Sequence, residues 1–170
     1  GVAYPFDSAT DANAFVMSGT TGWLHAPTVG YTAVGSLRSG DIGAGQSSTA
    51  TLTVNVLEST TLSFWVNTST ENCCDRLRLT INGALDASNW GGTTTWTQVT
   101  RTLVAGANTI EFTYSKDGSV DSGSDTVWID DLVIGAGVAT CGEGDGCGVP
   151  IFNGTSCITC DPSPDGTVCE

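Results

Sequence analysis

Residues 49–67, TATLTVNVLESTTLSFWVN, decide the fold class. Two runs of alternating apolar and polar side chains flank a short polar segment around Glu58. A period of two is typical of a β-strand with one buried side and one solvent-facing side. The stretch therefore predicts two half-buried strands, whose apolar side chains are Leu52, Val54, Val56, Leu62, Phe64 and Val66.

The same alternation recurs further along the chain, in RLRLTI at 76–81 and NTIEFTY at 108–114. Asn82 and Gly83 follow the first run, and Asn-Gly favours a type I′ hairpin turn because both central residues need positive φ. Only DSATDANAFV at 7–16 weakly suggests a helical period. About eight to ten short strands separated by polar turns predict an all-β antiparallel jelly-roll β-sandwich. A parallel α/β fold is excluded because the connecting helices are missing.

Composition narrows the class of protein further. The 170 residues suffice for one domain with a real core and a short appendage. Five basic residues against eighteen acidic ones give a formal net charge of −13. Nucleic acid and anionic membrane surfaces are poor partners, because both require a basic surface. No run of 18 apolar residues occurs, which argues against membrane insertion, and the abundant Ser, Thr and Gly indicate a secreted protein, extracellular or at the cell surface.

The composition changes after Ile134. Residues 135–170 contain no Lys or Arg and no sustained alternation, so we expect an extended Cys-rich tail beside a sandwich domain at 1–134. The seven cysteines of an extracellular composition predict disulfides, and they are Cys73, Cys74, Cys141, Cys147, Cys157, Cys160 and Cys169. An odd number leaves three alternatives: a free thiol, a bond to another chain, or a natural chain that continues past Glu170. Cys157 and Cys160 also form half of a zinc motif, although disulfides are the favoured interpretation.

Cys73 and Cys74 are adjacent, which makes their pairing difficult to predict. Their Cα atoms lie about 3.8 Å apart across a trans peptide, below the usual disulfide range of about 4.4 to 6.8 Å. A bridge between them would therefore be strained. Without that bridge, one of the two side chains is free to bond to the tail or to a neighbouring chain.

Three further stretches make the sequence resemble a known group of proteins. They are SLRSGDIGAGQSST at 36–49, LSFWVNTSTENCCDRLRLTINGAL at 62–85 and WTQVTRTLVAGANTIEFTYSKDGSVDSGSDTVWIDDLVI at 96–134. In their order these motifs resemble secreted bacterial jelly-roll modules, similar to cleaved-adhesin and MAM-like domains and more distantly to galactose-binding-like carbohydrate modules. The resemblance covers residues 6–134, and it implies a calcium-stabilised, non-catalytic module for adhesion, carbohydrate binding or assembly. The Cys73-Cys74 pair departs from this pattern.

The resemblance also implies where calcium would bind. In such modules an acidic residue after the first aromatic and another in the last strand meet at the sandwich edge, and the matching positions here are Asp7 and Asp130. Asp131 and Asp41 are further candidate Ca²⁺ ligands. Simple alternation places Asp130 on one face with Trp128, Leu132 and Ile134, where an unpaired carboxylate is costly and needs a cation.

Three more acids, Asp117, Asp121 and Asp125, crowd the loop before the last strand. Their spacing does not match an EF-hand, which requires alternating acids, a glycine and a final Glu. Asp commonly caps turns while remaining solvated, so we interpret these three as turn residues.

The sequence offers no catalytic motif. His25 is the single histidine, and no nucleophile elbow, HExxH or P-loop pattern occurs. We therefore expect that the protein is not an enzyme. Trp90, in the loop SNWGG, is the leading candidate for stacking on a sugar, although packing on the core is the alternative. Asn67 and Asn153 begin N-x-S/T sequons and are candidate glycosylation sites.

Two hypotheses about function remain. The first is a structural subunit of a surface fibre or matrix, which self-associates head to tail through GVAYPF at 1–6 or VPIF at 149–152. The second is a carbohydrate-binding or adhesin module of a larger secreted protein. We rank assembly first, because an isolated binding module has no need of so long a tail.

Overall fold

The structure, a computed structural model, describes residues 1–119 and 121–136, together with the backbone of residues 151–152 and 157–158. A short 3-10 helix, Asp11–Ala14, replaces the weakly predicted helix near the N-terminus. The strands, in chain order, are β1 Val2–Tyr4, β2 Val16–Gly19, β3 Leu24–Ala26, β4 Ser36–Arg38, β5 Ser47–Val56, β6 Thr60–Ser69, β7 Arg76–Ile81, β8 Ala84–Leu85, β9 Thr97–Leu103, β10 Gly106–Ser115, β11 Thr126–Ile134, β12 Ile151–Phe152 and β13 Cys157–Ile158.

These strands form two antiparallel sheets, which confirms the predicted all-β sandwich. The six-stranded sheet has the order β3-β4-β11-β6-β9, with β1 also paired to β11, and the five-stranded sheet has the order β2-β5-β10-β7-β8. The consecutive strands β5 and β6 belong to different sheets, as in a jelly roll. β12 and β13 pair with each other.

The core lies between the two sheets and is built by the alternation seen in the sequence. Inward side chains of β5, β6, β7 and β10 are nearly all fully buried. The rings of Phe64 and Phe112 meet edge to face across the core, with centroids 5.0 Å apart. Each fully buried large apolar side chain contributes about 1.5 to 3 kcal/mol, so these strands supply much of the folding free energy.

The Asn-Gly hairpin is confirmed. Asn82 and Gly83 have φ values of 53° and 77°, and Ile81 pairs with Ala84 across the turn. The Asn82 side chain also accepts a hydrogen bond from the Thr109 amide at 2.8 Å. The turn is thereby fixed to the neighbouring strand β10.

The last long strand, β11, does not follow simple alternation. Its pairing with β6 shifts register between Asp130 and Val133, and Asp131 has a φ of 44°. This β-bulge returns Leu132 and Ile134 to the buried side that Ile129 occupies. The prediction that Asp130 shares a face with Leu132 and Ile134 is therefore wrong.

Both chain ends bear on the predicted assembly. The N-terminal segment is already used within the chain, because Val2 and Tyr4 of β1 pair with Ile134 and Leu132 of β11. It does not project as a free strand for a second copy. Most of the tail, including Asn153 and the disulfides predicted for Cys141, Cys147, Cys160 and Cys169, lies outside the described residues, as does the Cys157 side chain. The boundary predicted at residue 134 stays a prediction.

Within the part of the chain that the structure describes, no helix has the length and apolar character needed to cross a bilayer.

Candidate functional site

Trp65 places an aromatic ring on the outer face of the six-stranded sheet. Its neighbours in β6, Phe64 and Val66, are buried in the core, so alternation directs Trp65 to the opposite side, where it is partly exposed. The sequence analysis preferred Trp90 as the sugar-stacking residue. The structure gives Trp65 a second aromatic partner.

Tyr31 supplies that partner from the loop 27–35, between β3 and β4. Its ring stacks on Trp65 with centroids 3.5 Å apart and an interplanar angle of 17°. Trp96 lies beyond, with its centroid 6.3 Å from that of Tyr31. Tyr31 is 40% exposed. We refer to Tyr31, Trp65 and Trp96 as the aromatic patch.

Carboxylates of β11 hold the loop that carries Tyr31. The Tyr31 amide donates to Asp130 Oδ2 at 2.6 Å, and the Thr32 hydroxyl donates to Asp131 Oδ2 at 2.7 Å. Asp130 also accepts the Asp131 amide at 2.7 Å through Oδ1. The bulge in β11 thus presents two successive carboxylates to one loop. Both hydrogen bonds hold the loop segment that carries Tyr31.

Asp130 is an ionisable residue that is buried, with only 1% of its surface exposed. Burial raises its pKa to about 6, against the hydrogen bonds from the Tyr31 and Asp131 amides, which lower it. The carboxylates of Asp131 and Asp7 raise the pKa further.

Polar residues lie next to Trp65 on β6 and on the paired strand β9. Trp65 pairs across β6 and β9 with Gln98, and Ser63 pairs with Thr100. Thr94 donates to the Asn67 amide oxygen at 3.3 Å. Aromatic rings bordered by a few amides and hydroxyls are typical of small-molecule binding sites, since rings pack on apolar faces and polar groups fix orientation. The predicted glycosylation site Asn67 lies beside the patch on β6 and stays a prediction.

The four predicted calcium ligands are not all brought together. Asp130 is buried and Asp7 is exposed, while Asp41 is exposed and forms an ion pair with Arg38. Asp131 binds Thr32. The Nε2–H group of His25 donates a hydrogen bond to the carbonyl oxygen of Phe6 at 2.8 Å, which fixes the segment just before Asp7.

The oxygen atoms near Asp130 fit a calcium ion only in part. Both Asp130 oxygens already accept backbone amides. In the described residues, the acidic, His and Cys side chains close enough to share an ion form two groups, and neither includes Asp130. Because Ca²⁺ takes about six to eight oxygen ligands, backbone carbonyls would have to supply most of them here. Calcium at this position stays a prediction.

Trp90 packs on the core. Its ring meets Phe64 edge to face, with centroids 6.2 Å apart, and its backbone pairs with Leu77. The ring remains half-buried. Its sugar-stacking role stays a prediction, but this ring is held against the interior while the aromatic patch faces outward.

A buried cation organises two of the loop acids. Lys116 is 5% exposed and pairs through Nζ with both Asp121 and Asp125. The Tyr114 hydroxyl donates to Asp125 Oδ1 at 2.8 Å. Burial alone would lower the pKa of Lys116, but its hydrogen bonds to Asp121 and Asp125 outweigh burial and raise it. Asp125 is thus a structural partner rather than the solvated turn residue that we expected.

Cys73 and Cys74 form a disulfide with each other. Neither is available to the tail, contrary to the alternative that one of them bonds elsewhere. The zinc alternative at Cys157 and Cys160 falls where no side chain is described.

The described fold is similar to several solved structures. No family profile and no curated protein matches the chain. The K1 cleaved adhesin domain of Lys-gingipain from Porphyromonas gingivalis W83 matches 79% of this chain and 97% of its own, with a TM-score of 0.56 and 18% identity. The fold is similar to that of a cleaved adhesin domain.

Carbohydrate-binding modules show the same likeness. TmCBM61 in complex with β-1,4-galactotriose matches 79% of this chain and 98% of its own, with a TM-score of 0.57 and 11% identity. The CBM22-1 xylan-binding domain of Xyn10C from Paenibacillus barcinonensis matches 83% and 95%, with a TM-score of 0.54 and 14% identity. The predicted resemblance to secreted jelly-roll modules is therefore confirmed at the level of the fold.

Proposed function

We propose that the chain is a non-catalytic carbohydrate-binding or adhesin module of a secreted or surface protein, and that the aromatic patch is its contact surface. The observation that carries the proposal is the stack of Tyr31 on Trp65, held by Asp130 and Asp131 on the outside of the sandwich. A flat aromatic surface with bordering hydroxyls and amides suits the apolar face and the hydroxyls of a pyranose ring. The similar structures described with β-1,4-galactotriose and as xylan-binding support this choice.

The expected ligand is a neutral polysaccharide. The chain carries a formal net charge of −13, so an anionic polymer would be repelled over the whole approach. None of the three patch side chains is charged. Stacking and hydrogen bonding, rather than ion pairing, would provide the affinity.

The fibre-subunit hypothesis ranked first from the sequence now has less support than the binding-module hypothesis. It depended on free terminal segments, and the N-terminal one is paired with β11 in its own sheet. The three similar structures described above are an adhesin domain and two carbohydrate-binding modules. Head-to-tail self-association stays a prediction that concerns the tail.

The test is binding of the purified chain to soluble neutral polysaccharides, including xylan and β-1,4-galactan, by affinity electrophoresis. Trp65→Ala and Tyr31→Ala should each weaken binding at least tenfold, which corresponds to about 1.4 kcal/mol. Trp90→Phe is the matched control, because it keeps an aromatic ring against Phe64 and leaves the patch intact.

Retention of full affinity by both patch variants would refute the assignment of the site. Loss of binding in Trp90→Phe alone would return the site to the loop around Trp90. No binding to any neutral polysaccharide would refute the carbohydrate ligand and leave adhesion to protein.

A further inference from the structure

Three carboxylates converge at a second place, distinct from the aromatic patch. Glu71 and Asp75 come from the connection between β6 and β7, and Asp117 follows β10. One oxygen from each lies within 4.8 Å of the others. We refer to Glu71, Asp75 and Asp117 as the carboxylate cluster.

Asp75 is the member whose environment demands an explanation. Asp75 is fully buried, with 0% of its surface exposed. Oδ1 accepts the Asp117 amide at 3.0 Å, whereas Oδ2 is buried without any hydrogen-bond partner among the described residues. A buried carboxylate oxygen without a donor is costly, and nearly all such groups in folded proteins are paired.

Glu71 is unpaired in the same way. Its Oε2 atom is also buried without a partner within the described chain. Oε1 lies 3.0 Å from Cys73 Sγ, but that sulfur is bonded to Cys74 and carries no proton to donate. Within the described residues, no donor reaches either oxygen of the Glu71 carboxylate.

The nearby basic side chains are committed to other groups. Lys116 Nζ pairs with Asp121 and Asp125. Arg76 donates through Nη2 to the carbonyl oxygens of Asn72 and Cys73, at 2.9 and 2.7 Å. These bonds shape the loop between Glu71 and Asp75 without neutralising the two carboxylates directly.

The electrostatic environment agrees with this geometry. Burial raises the pKa of Asp75, against the Asp117 amide and the Lys116 charge, which lower it. Withdrawal from solvent raises the pKa of Glu71, and the carboxylates of Asp117 and Asp75 raise it further, against the charges of Arg76 and Lys116, which lower it. The arrangement favours a bound positive charge.

We propose that Glu71, Asp75 and Asp117 bind a hard divalent cation of the calcium class. Carboxylates are hard oxygen ligands, and Ca²⁺ tolerates both one-oxygen and two-oxygen binding at irregular angles, with water completing its shell. A soft metal is disfavoured because the adjacent sulfurs of Cys73 and Cys74 form a disulfide and offer no thiolate. The cation would join the connection between β6 and β7 to the segment that follows β10.

Calorimetric titration of the metal-free full chain with CaCl₂ tests the proposal. Glu71→Gln and Asp117→Asn, at partly exposed positions where the fold should tolerate the change, should each weaken Ca²⁺ binding at least tenfold. Asp41→Asn is the matched control, because Asp41 is an exposed acid paired with Arg38. Asp130→Asn separates this site from the calcium position predicted in β11, and it should leave the cluster's binding unchanged.

Asp75→Asn provides a readout that a merely structural role would not produce. In EDTA the variant should melt at or above the temperature of the unmodified chain, because an unpaired buried charge has been removed. In CaCl₂ it should lose the upward shift in melting temperature that binding to the folded state confers. Destabilisation of the variant in EDTA would show that the Asp75 charge is satisfied by the protein and would overturn the proposal.

Two further results would also overturn it. One is no Ca²⁺ binding by the unmodified chain at about 10 mM, roughly ten times the weakest dissociation constants of extracellular calcium modules. The other is Ca²⁺ binding that remains unchanged in Glu71→Gln and Asp117→Asn.

Discussion

A single buried ammonium group organises the loop between β10 and β11. Lys116 continues the alternation of Ile110, Phe112 and Tyr114, so its side chain enters the sandwich rather than the solvent. An ammonium group in that position requires anions, and Asp121 and Asp125 provide them. The acidic composition of the loop therefore follows from one basic residue in register with the core.

The substitution Lys116→Met tests how strongly the stability of the fold depends on the ion pairs of Lys116 with Asp121 and Asp125. The substitution leaves the Asp125 carboxylate with Tyr114 as its remaining partner, and we expect the free energy of unfolding to fall by about 3 kcal/mol. Urea denaturation at pH 7 measures it. Asp121→Asn is the control, because the Asp121 side chain is 77% exposed and its removal should cost under about 1 kcal/mol. Equal effects of the two substitutions would contradict the role assigned to burial.

At the scale of the element, the bulge in β11 joins the sheet to the proposed binding surface. The extra residue lets Ile129 and Leu132 both face the core while Asp130 and Asp131 meet the loop 27–35. A regular strand would place alternate residues inward without interruption. The irregularity thus allows a core strand to anchor Tyr31.

Substitutions at Asp131 test whether the bulge requires its backbone conformation, because the φ of Asp131 is 44° and lies in the left-handed region. Asn adopts that region readily and retains an oxygen for the Thr32 hydroxyl, whereas a β-branched residue does not. Asp131→Val should therefore be less stable than Asp131→Asn by about 1 to 2 kcal/mol. Chemical denaturation of the two variants measures the difference. If they unfold at the same denaturant concentration, the bulge does not require this backbone conformation.

The strands and the site differ in how far the sequence could predict them. Strands β5, β6 and β10 were predictable because each keeps strict alternation over most of its length. The bulge was not, since apolar residues flank Asp130 and Asp131 on both sides and two registers satisfy the same pattern. The contact of Tyr31 with Asp130 joins positions 99 apart in sequence, which no local pattern encodes. Lys116 was within reach, because its phase in β10 already placed it inside.

At the scale of the whole molecule, the two proposed sites differ in how the net charge of the chain affects ligand binding. Eighteen acidic residues against five basic ones give a formal net charge of −13. This excess attracts cations, which suits the carboxylate cluster, and repels anionic polymers. The aromatic patch is uncharged, so neither the attraction of cations nor the repulsion of anions should change its affinity for a neutral ligand.

Ionic strength provides the corresponding test. Raising NaCl from about 20 to 500 mM shortens the Debye length from about 20 to about 4 Å, which screens repulsion among surface carboxylates. In EDTA, the free energy of unfolding should therefore increase with NaCl. The dissociation constant for a neutral polysaccharide should change less than about twofold, because stacking on Tyr31 and Trp65 involves no ion pair. Titrations and urea melts on the same samples measure both quantities. A tenfold change in the dissociation constant would mean that charged groups form the binding surface, and the aromatic patch would then be the wrong assignment.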